Sequence, residues 1–161
     1  MLPEIRTILY PTDLDPRAPE VFRYTMSLAH RYDAKIVLLH VVEPLTQYAR
    51  SVVEMYLPEG KGTTLREEAR DRILAELHTR LRHFCQDEVC IDLGGDERVS
   101  EIRVLEGNPT EVILAEAKRV GADLLVLGAH RHTAVGGMLL GSVSHKVLQR
   151  APVPVLLVRL P

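Results

Sequence analysis

Asp123-Leu-Leu-Val-Leu-Gly128-Ala-His-Arg131-His-Thr-Ala-Val-Gly-Gly-Met-Leu-Leu-Gly141-Ser142-Val143-Ser144 joins a buried strand to a helix start through a glycine-bearing loop that ends in hydroxyls. At a helix start several backbone N–H groups have no partner within the helix, and the helix dipole adds partial positive charge. Such a place holds an anion. Gly141 lets a ligand approach the backbone closely, and Ser142 and Ser144 offer hydroxyls. The strand before the loop, Asp123 to Leu127, is continuously apolar after its first residue, as a strand covered on both sides of a parallel sheet should be.

Working outward, the same alternation repeats. Ile5 to Tyr10 reads as a first strand, stopped by Pro11-Thr12-Asp13. A helix follows in which Asp15 is expected to cap and Pro16 to take the first position, with Ala18, Val21, Phe22, Thr25, Leu28, Ala29 and Tyr32 on one side. Lys35 to Val42 is a second apolar strand, with His40 read as a core residue. From Glu43 to Thr63 the periodicity lapses among Pro44, Pro58, Gly60 and Gly62, which predicts a long connection with one helical turn around Val52 to Met55. Thr64-Leu-Arg-Glu67 has capping-box spacing, and Leu65, Ala69, Ile73, Leu77, Leu81 and Phe84 form an apolar stripe along a long helix.

The stretch 86–100 carries a Gly-Gly-Asp turn signal between alternating apolar residues and is expected to form a small hairpin. Glu101 to Glu106 is a third strand, and Gly107-Asn108-Pro109-Thr110-Glu111 supplies a cap, a first-turn proline and a first-turn acid for the next helix, which Gly121 closes. Ser142 to Arg150 is the last helix and Val153 to Val158 the last strand. The whole chain, 1–161, therefore reads as one α/β domain: an open, doubly wound, mostly parallel sheet of five strands. In such sheets ligands bind beyond the carboxyl ends of the strands, where the winding reverses. That region collects Pro11, Thr12 and Asp13, then Val41 and Val42, then the loop from Gly128.

Composition narrows the partners. With 161 residues and 46% apolar content, the chain can bury a sizeable core without disulfides or a metal. Its 20 basic and 22 acidic residues nearly cancel and are dispersed, leaving no footprint for nucleic acid or an anionic membrane. Cys85 and Cys90 match neither a redox nor a zinc spacing, and no leader or bilayer-length apolar run is visible, so a cytoplasmic protein is expected.

Taken in order, these segments resemble the universal stress protein family. The resemblance is carried by Ile-Leu-Tyr-Pro-Thr-Asp13, Leu-Leu-His-Val41-Val, Glu106-Gly-Asn-Pro109, Ala122-Asp123-Leu-Leu-Val-Leu-Gly128 and, most specifically, Leu-Leu-Gly141-Ser142-Val-Ser-His-Lys-Val-Leu-Gln-Arg-Ala-Pro-Val-Pro-Val-Leu-Leu-Val. It implies a Rossmann-like fold of the adenine nucleotide alpha-hydrolase type, with ATP, accompanied by Mg²⁺, as ligand. It also implies that Asp13 contacts the ribose or adenine edge and that Val41 lies against the base. The family's nucleotide-binding pattern is Gly, two residues, Gly, nine residues, then Gly-Ser or Gly-Thr; laid on this chain it meets Gly128, Arg131, Gly141 and Ser142.

Arg131 stands where that pattern has its second glycine. If the position needs φ > 0 or lies against the phosphates, the side chain blocks the site. If the backbone accepts arginine, its guanidinium forks onto a phosphate. The leading expectation is an ATP-binding stress-response module with backbone donors at Gly141, Ser142, Val143 and Ser144; the alternative is a nucleotide-free interaction protein of the same fold. The chain lacks the Gly-x4-Gly-Lys-Ser/Thr phosphate loop, so slow hydrolysis is the most that is expected. His130, His132 and His145 lack an acid or thiol at the spacing that completes a metal shell, and no metal site is expected. Next to a phosphate, His130 and His132 would instead make binding depend on pH. Val153 to Val158 has no charge to blunt a sheet edge before Arg159, which predicts a homodimer through this strand, as the resemblance also implies.

Overall fold

A computed structural model describes residues 1–56, 62–92, 98–129 and 140–159. In chain order they form β1 (Thr7–Pro11), α1 (Ala18–Tyr32), β2 (Lys35–Val42), α2 (Gln47–Met55), α3 (Gly62–Asp92), β3 (Val99–Glu106), α4 (Pro109–Arg119), β4 (Leu124–Ala129), α5 (Ser142–Arg150) and β5 (Val155–Arg159). The five strands make one sheet in the order β3-β2-β1-β4-β5, and every neighbouring pair is parallel.

Alternation along the strands explains why they read as unbroken apolar runs. Ile8 and Tyr10 of β1, Ile36 and Leu38 of β2, and Leu124 and Val126 of β4 face one side, where Val21, Phe22, Met26 and Ala29 of α1 and Leu81 and Cys85 of α3 cover them. Leu9, Val37, Leu39, Leu125 and Leu127 face the other, under Ile113, Leu114 and Ala117 of α4 and Val147 of α5. Both faces are buried at the centre of the sheet, so both register positions there are apolar. Phe22 centres the first side, stacking on Tyr10 at 5.8 Å and tilting against Phe84 at 5.3 Å. Cys85 lies inside this cluster, where burial pushes its thiol up and keeps it unreactive.

The chain first winds from β1 to β2 to β3, then returns to the opposite side of β1 for β4 and β5. The two halves meet in only two register pairs, Ile8 with Leu124 and Leu9 with Leu125. Beyond them β1 continues along β2 as far as Pro11 with Leu39, while β4 continues along β5 as far as Ala129 with Arg159. The carboxyl ends of β1 and β4 therefore diverge. At their other ends the Asp123 carboxylate accepts from the backbone N–H groups of Arg6 and Thr7, both at 2.9 Å.

Several local expectations are corrected. Helix α1 begins at Ala18 with Pro19 in its first turn; Asp15 instead closes the turn ahead of it, accepting from the Arg17 N–H at 2.8 Å through its carboxylate and from the Ala18 N–H at 2.8 Å through its carbonyl. The connection 43–63 holds a nine-residue helix, α2, because Thr46 caps it by accepting from the Ala49 N–H at 3.2 Å. Helix α3 starts at Gly62, which puts Thr64 inside its first turn rather than at the cap.

Residues 86–92, expected in a hairpin, continue α3, and the Gly-Gly-Asp stretch after them lies outside the described residues. The stripe along α3 also divides. Steps of four residues overrun a helical turn by about 40° each, so Leu65 points about 160° away from Leu81. Leu81 is fully buried, whereas Leu65 is 41% and Ile73 52% exposed. The side of this outer half that faces the body carries Arg70, paired with Glu106 at the end of β3, and Arg66, paired with Glu54 of α2 at 2.7 Å.

The remaining helices follow the sequence closely. Asn108 caps α4 by accepting from the Glu111 N–H at 3.2 Å, and Pro109 takes the first turn. Glu111 also receives both terminal nitrogens of Arg150, at 2.6 and 3.2 Å, which fastens the start of α4 to the end of α5. The Arg150 hydrogen bonds hold the Glu111 carboxyl below its ordinary range. Gly121 takes φ +60° after α4, the left-handed turn that glycine admits without strain.

Candidate functional site

The divergence of β1 and β4 opens a cleft of about 390 Å³ at the carboxyl edge of the sheet. Its rim gathers Pro11, Thr12 and Asp13 after β1, Val41 of β2, Gly128 of β4, and Gly141, Ser142, Val143 and Ser144 at the start of α5. Nine of the ten residues singled out in the sequence thus meet at one place. The tenth, Arg131, lies outside the described residues, as do His130, His132, Gly136 and Gly137.

The β1 lip is built by side chains that close small turns. The Thr12 N–H donates to the Leu39 carbonyl at 2.8 Å, and its hydroxyl oxygen accepts from the Leu14 N–H at 3.1 Å. Asp13 Oδ1 accepts from the Asp15 N–H at 3.1 Å. Between them Leu14 takes φ +60°, a left-handed conformation that costs a leucine about 1–2 kcal/mol. Its side chain packs on the α1 and α3 core, which holds it there. Tyr10, at the floor, donates its hydroxyl to the Ala18 carbonyl at 3.1 Å; burial pushes its pKa far up, so the phenol stays neutral.

The opposite lip is the start of α5. Gly141 occupies the cap position, and among the described residues no side chain caps the helix. No acid stands in its first turn, whereas α4 has both the Asn108 cap and Glu111. The N–H groups of Ser142, Val143 and Ser144, in the first turn, have no acceptor within the helix, and all three residues line the cleft at the positive end of the helix dipole. Gly141 has φ −55°, and a Cβ placed on it would meet nothing within 4 Å. Its glycine keeps that space open and is not demanded by the backbone. Gly128 differs: a Cβ there would lie 3.1 Å from Val21 Cγ2, so glycine lets α1 pack against β4. The Ser144 hydroxyl reaches the Gly128 carbonyl at 3.4 Å across the floor.

Seven further residues line the cleft that the sequence did not single out for it, among them Tyr10, Ala18 and Val21 on the side of β1 and α1. Glu43 stands just past β2 and adds a second carboxylate to the side that carries Asp13. Pro109 and Ile113 of α4 and Leu127 of β4 give the middle of the cleft its apolar wall. Glu43 could have been found from its place one residue beyond a core strand; Ile113 and Leu127 look like core in sequence, and Pro109 reads as part of a helix start. Among the described residues no group of three or more histidine, cysteine, aspartate and glutamate side chains gathers to hold a metal. No helix among them is long and apolar enough to cross a membrane.

A parallel sheet wound in both directions from β1, with helices on both faces, defines the Rossmann-like class of α/β folds. The sequence signature of the universal stress protein family matches residues 4–159. A universal stress protein of Thermus aquaticus is 32% identical over 154 residues, covering 96% of this chain and 98% of its own. One from Methanocaldococcus jannaschii is 27% identical over 158 residues, covering 96% and 94%, and its solved structure superposes with a TM-score of 0.72 over 99% of both chains. The Lactobacillus plantarum protein UspA superposes with a TM-score of 0.71 at 23% identity, covering 98% of this chain and 100% of its own. A universal stress protein solved in complex with cAMP superposes at 0.58 with 22% identity, over 98% of each chain. This chain belongs to the universal stress protein family.

Proposed function

We propose that the cleft binds an adenine nucleotide, ATP in the first instance, and that the protein acts in the cytoplasm as a homodimeric stress-response module governed by that ligand. The observation that carries this reading is the polarity of the cleft. The uncapped start of α5 forms one lip, Asp13 and Glu43 stand on the other, and Val41, Ile113 and Leu127 supply apolar wall. A nucleotide has the matching order: phosphates for the N–H groups of Ser142 to Ser144, hydroxyls for a carboxylate, and a flat base for the apolar surface. The relative solved with cAMP carries a ligand of the same chemical class. Mg²⁺ would enter with the phosphates, on the lip opposite Asp13 and Glu43. Binding rather than turnover is the proposed activity.

Protein purified without added nucleotide is expected to bind ATP with Mg²⁺ saturably in a calorimetric titration and to unfold at higher temperature when ATP is present. At a hundredfold excess over Kd the stabilisation should be about 2.7 kcal/mol. No heat and no shift at millimolar ATP would overturn the reading. They would favour the nucleotide-free alternative, which Arg131 supports by standing at the second glycine of the family pattern.

The edge strand β5 supports the dimer. It spans Val155–Arg159, starting two residues later and ending one later than expected from sequence, pairs with β4 alone among the described strands, and brings apolar Val155 to Val158 to the sheet edge. Pairing of this strand between two copies is expected to give a dimer by sedimentation at micromolar concentration; Leu156→Lys should shift it to monomer. A wild-type monomer would discard the interface.

A further inference from the structure

We propose that His40 is a positioning residue for the cleft: its imidazole, reaching from the opposite side of the sheet, fixes the Thr12-Asp13 lip in its binding geometry. His40 is half-buried in β2. Its neighbour Val41 lines the cleft, so alternation along the strand places the His40 ring on the other side of the sheet, the side of α1 and α3. Nδ1 lies 2.8 Å from the Thr12 carbonyl oxygen. A carbonyl only accepts, so Nδ1 carries the proton and donates.

That bond continues a ladder the backbone has already left. Strand pairing between β1 and β2 ends at Pro11 with Leu39, and the next link is the Thr12 N–H to the Leu39 carbonyl at 2.8 Å. His40 supplies the following link from a side chain, at the point where the chain must turn away. With it, each polar group of Thr12 is engaged: the N–H by Leu39, the carbonyl by His40, and the hydroxyl oxygen by the Leu14 N–H at 3.1 Å. Together with the packing of its side chain on the core, these bonds hold Leu14 at φ +60° in the next turn. Asp13 sits between these two fixed residues, and its place on the lip follows from theirs.

The ligand arm of the test rests on nucleotide binding by this cleft; the hydrogen-exchange arm does not. His40→Leu removes the donor and keeps an apolar body, whereas His40→Asn puts an amide nitrogen close to where Nδ1 stands. In the full chain, His40→Leu is expected to weaken ATP about tenfold, and His40→Asn to stay within about twofold of wild type. In an Asp13→Ala background His40→Leu should cost less than about twofold, because the group it positions is gone. An equal loss in both backgrounds, or His40→Asn as harmful as His40→Leu, overturns the proposal. In the ligand-free protein, His40→Leu should speed amide exchange at Leu14 and Asp15 about tenfold and leave Leu9 unchanged. Unchanged exchange at Leu14 and Asp15 overturns it as well. Should wild type fail to bind ATP, that failure strikes the nucleotide reading alone, and the exchange result still decides the role of His40.

Discussion

Ser142→Asp is expected to weaken ATP binding about a hundredfold while making the ligand-free protein slightly more stable. Ser142 is the first residue of α5, on an exposed position at the cleft lip, in a helix start that has neither an acid nor, among the described residues, a side-chain cap. A carboxylate there takes the place the phosphates would occupy and presents like charge to them. Two unit charges about 4 Å apart near a protein surface interact by about 4 kcal/mol, of which side-chain motion and screening spare part, leaving roughly the 2.7 kcal/mol of a hundredfold change. Toward the helix itself the new charge is favourable by about 0.3–1 kcal/mol, since it complements the dipole. Affinity and stability thus move in opposite directions, which a damaged fold cannot imitate. Ser142→Asn, which keeps the shape without the charge, should retain most binding. Calorimetric titration beside thermal unfolding reads both quantities, and unchanged affinity in Ser142→Asp would place the phosphates elsewhere than at α5.

The second large effect falls on the fold. Gly107→Ala is expected to cost about 2–4 kcal/mol and to lower the unfolding temperature by roughly 5–10 °C. Gly107 joins β3 to α4 with φ +155°, a conformation side chains rarely adopt, and a Cβ there would lie 2.8 Å from Val112 Cγ2. Its N–H donates to the Val42 carbonyl at 2.9 Å, so the residue cannot retreat without giving up the link to β2. Two costs therefore combine. Val112→Ala in the same chain should recover only the steric share and leave the conformational one. Gly141→Ala gives the contrast: with φ −55° and open space around it, stability should change by less than about 0.5 kcal/mol. Thermal unfolding of the three variants distinguishes these outcomes, and a Gly107→Ala protein as stable as wild type would contradict the strained geometry.

The strands could be read from the sequence because burial on both faces leaves a continuous apolar run, as in Ile36 to Leu39 and Leu124 to Leu127. The start of α4 could be read because Asn108, Pro109 and Glu111 each perform the local task their chemistry suits. Elsewhere the same chemistry served another purpose. Asp15 and Pro16 satisfy the pattern of a helix start, and the chain uses Asp15 to close the turn before one. Helix α2 buries none of its residues fully, so no stripe announced it, and only its cap at Thr46 marks the start. A turn signal at 94–96, in sequence just past the end of α3, draws the expected hairpin back over residues 86–92, which continue the helix.

The candidate site was legible at its lips and not along its wall. Pro11 to Asp13 and Gly141 to Ser144 interrupt apolar runs and so stand out, whereas Ile113 and Leu127 are indistinguishable in sequence from the core they adjoin. His40 looked like core for the same reason. Its partner is the carbonyl of a residue 28 positions earlier, and only the register of β1 on β2 brings the two together.

The seam between β1 and β4 is two register pairs long, with the Asp123 clasp at one end and the cleft at the other. Each half of the sheet is otherwise knit by longer pairings, β1 with β2 and β2 with β3 on one side, β4 with β5 on the other. A molecule that touched both Asp13 and Ser142 would cross that seam and act as its missing rungs. Occupancy would then be felt as cohesion between two half-sheets, and the boundary at which the chain reverses its winding becomes the place where a small solute adds tensile strength to the whole.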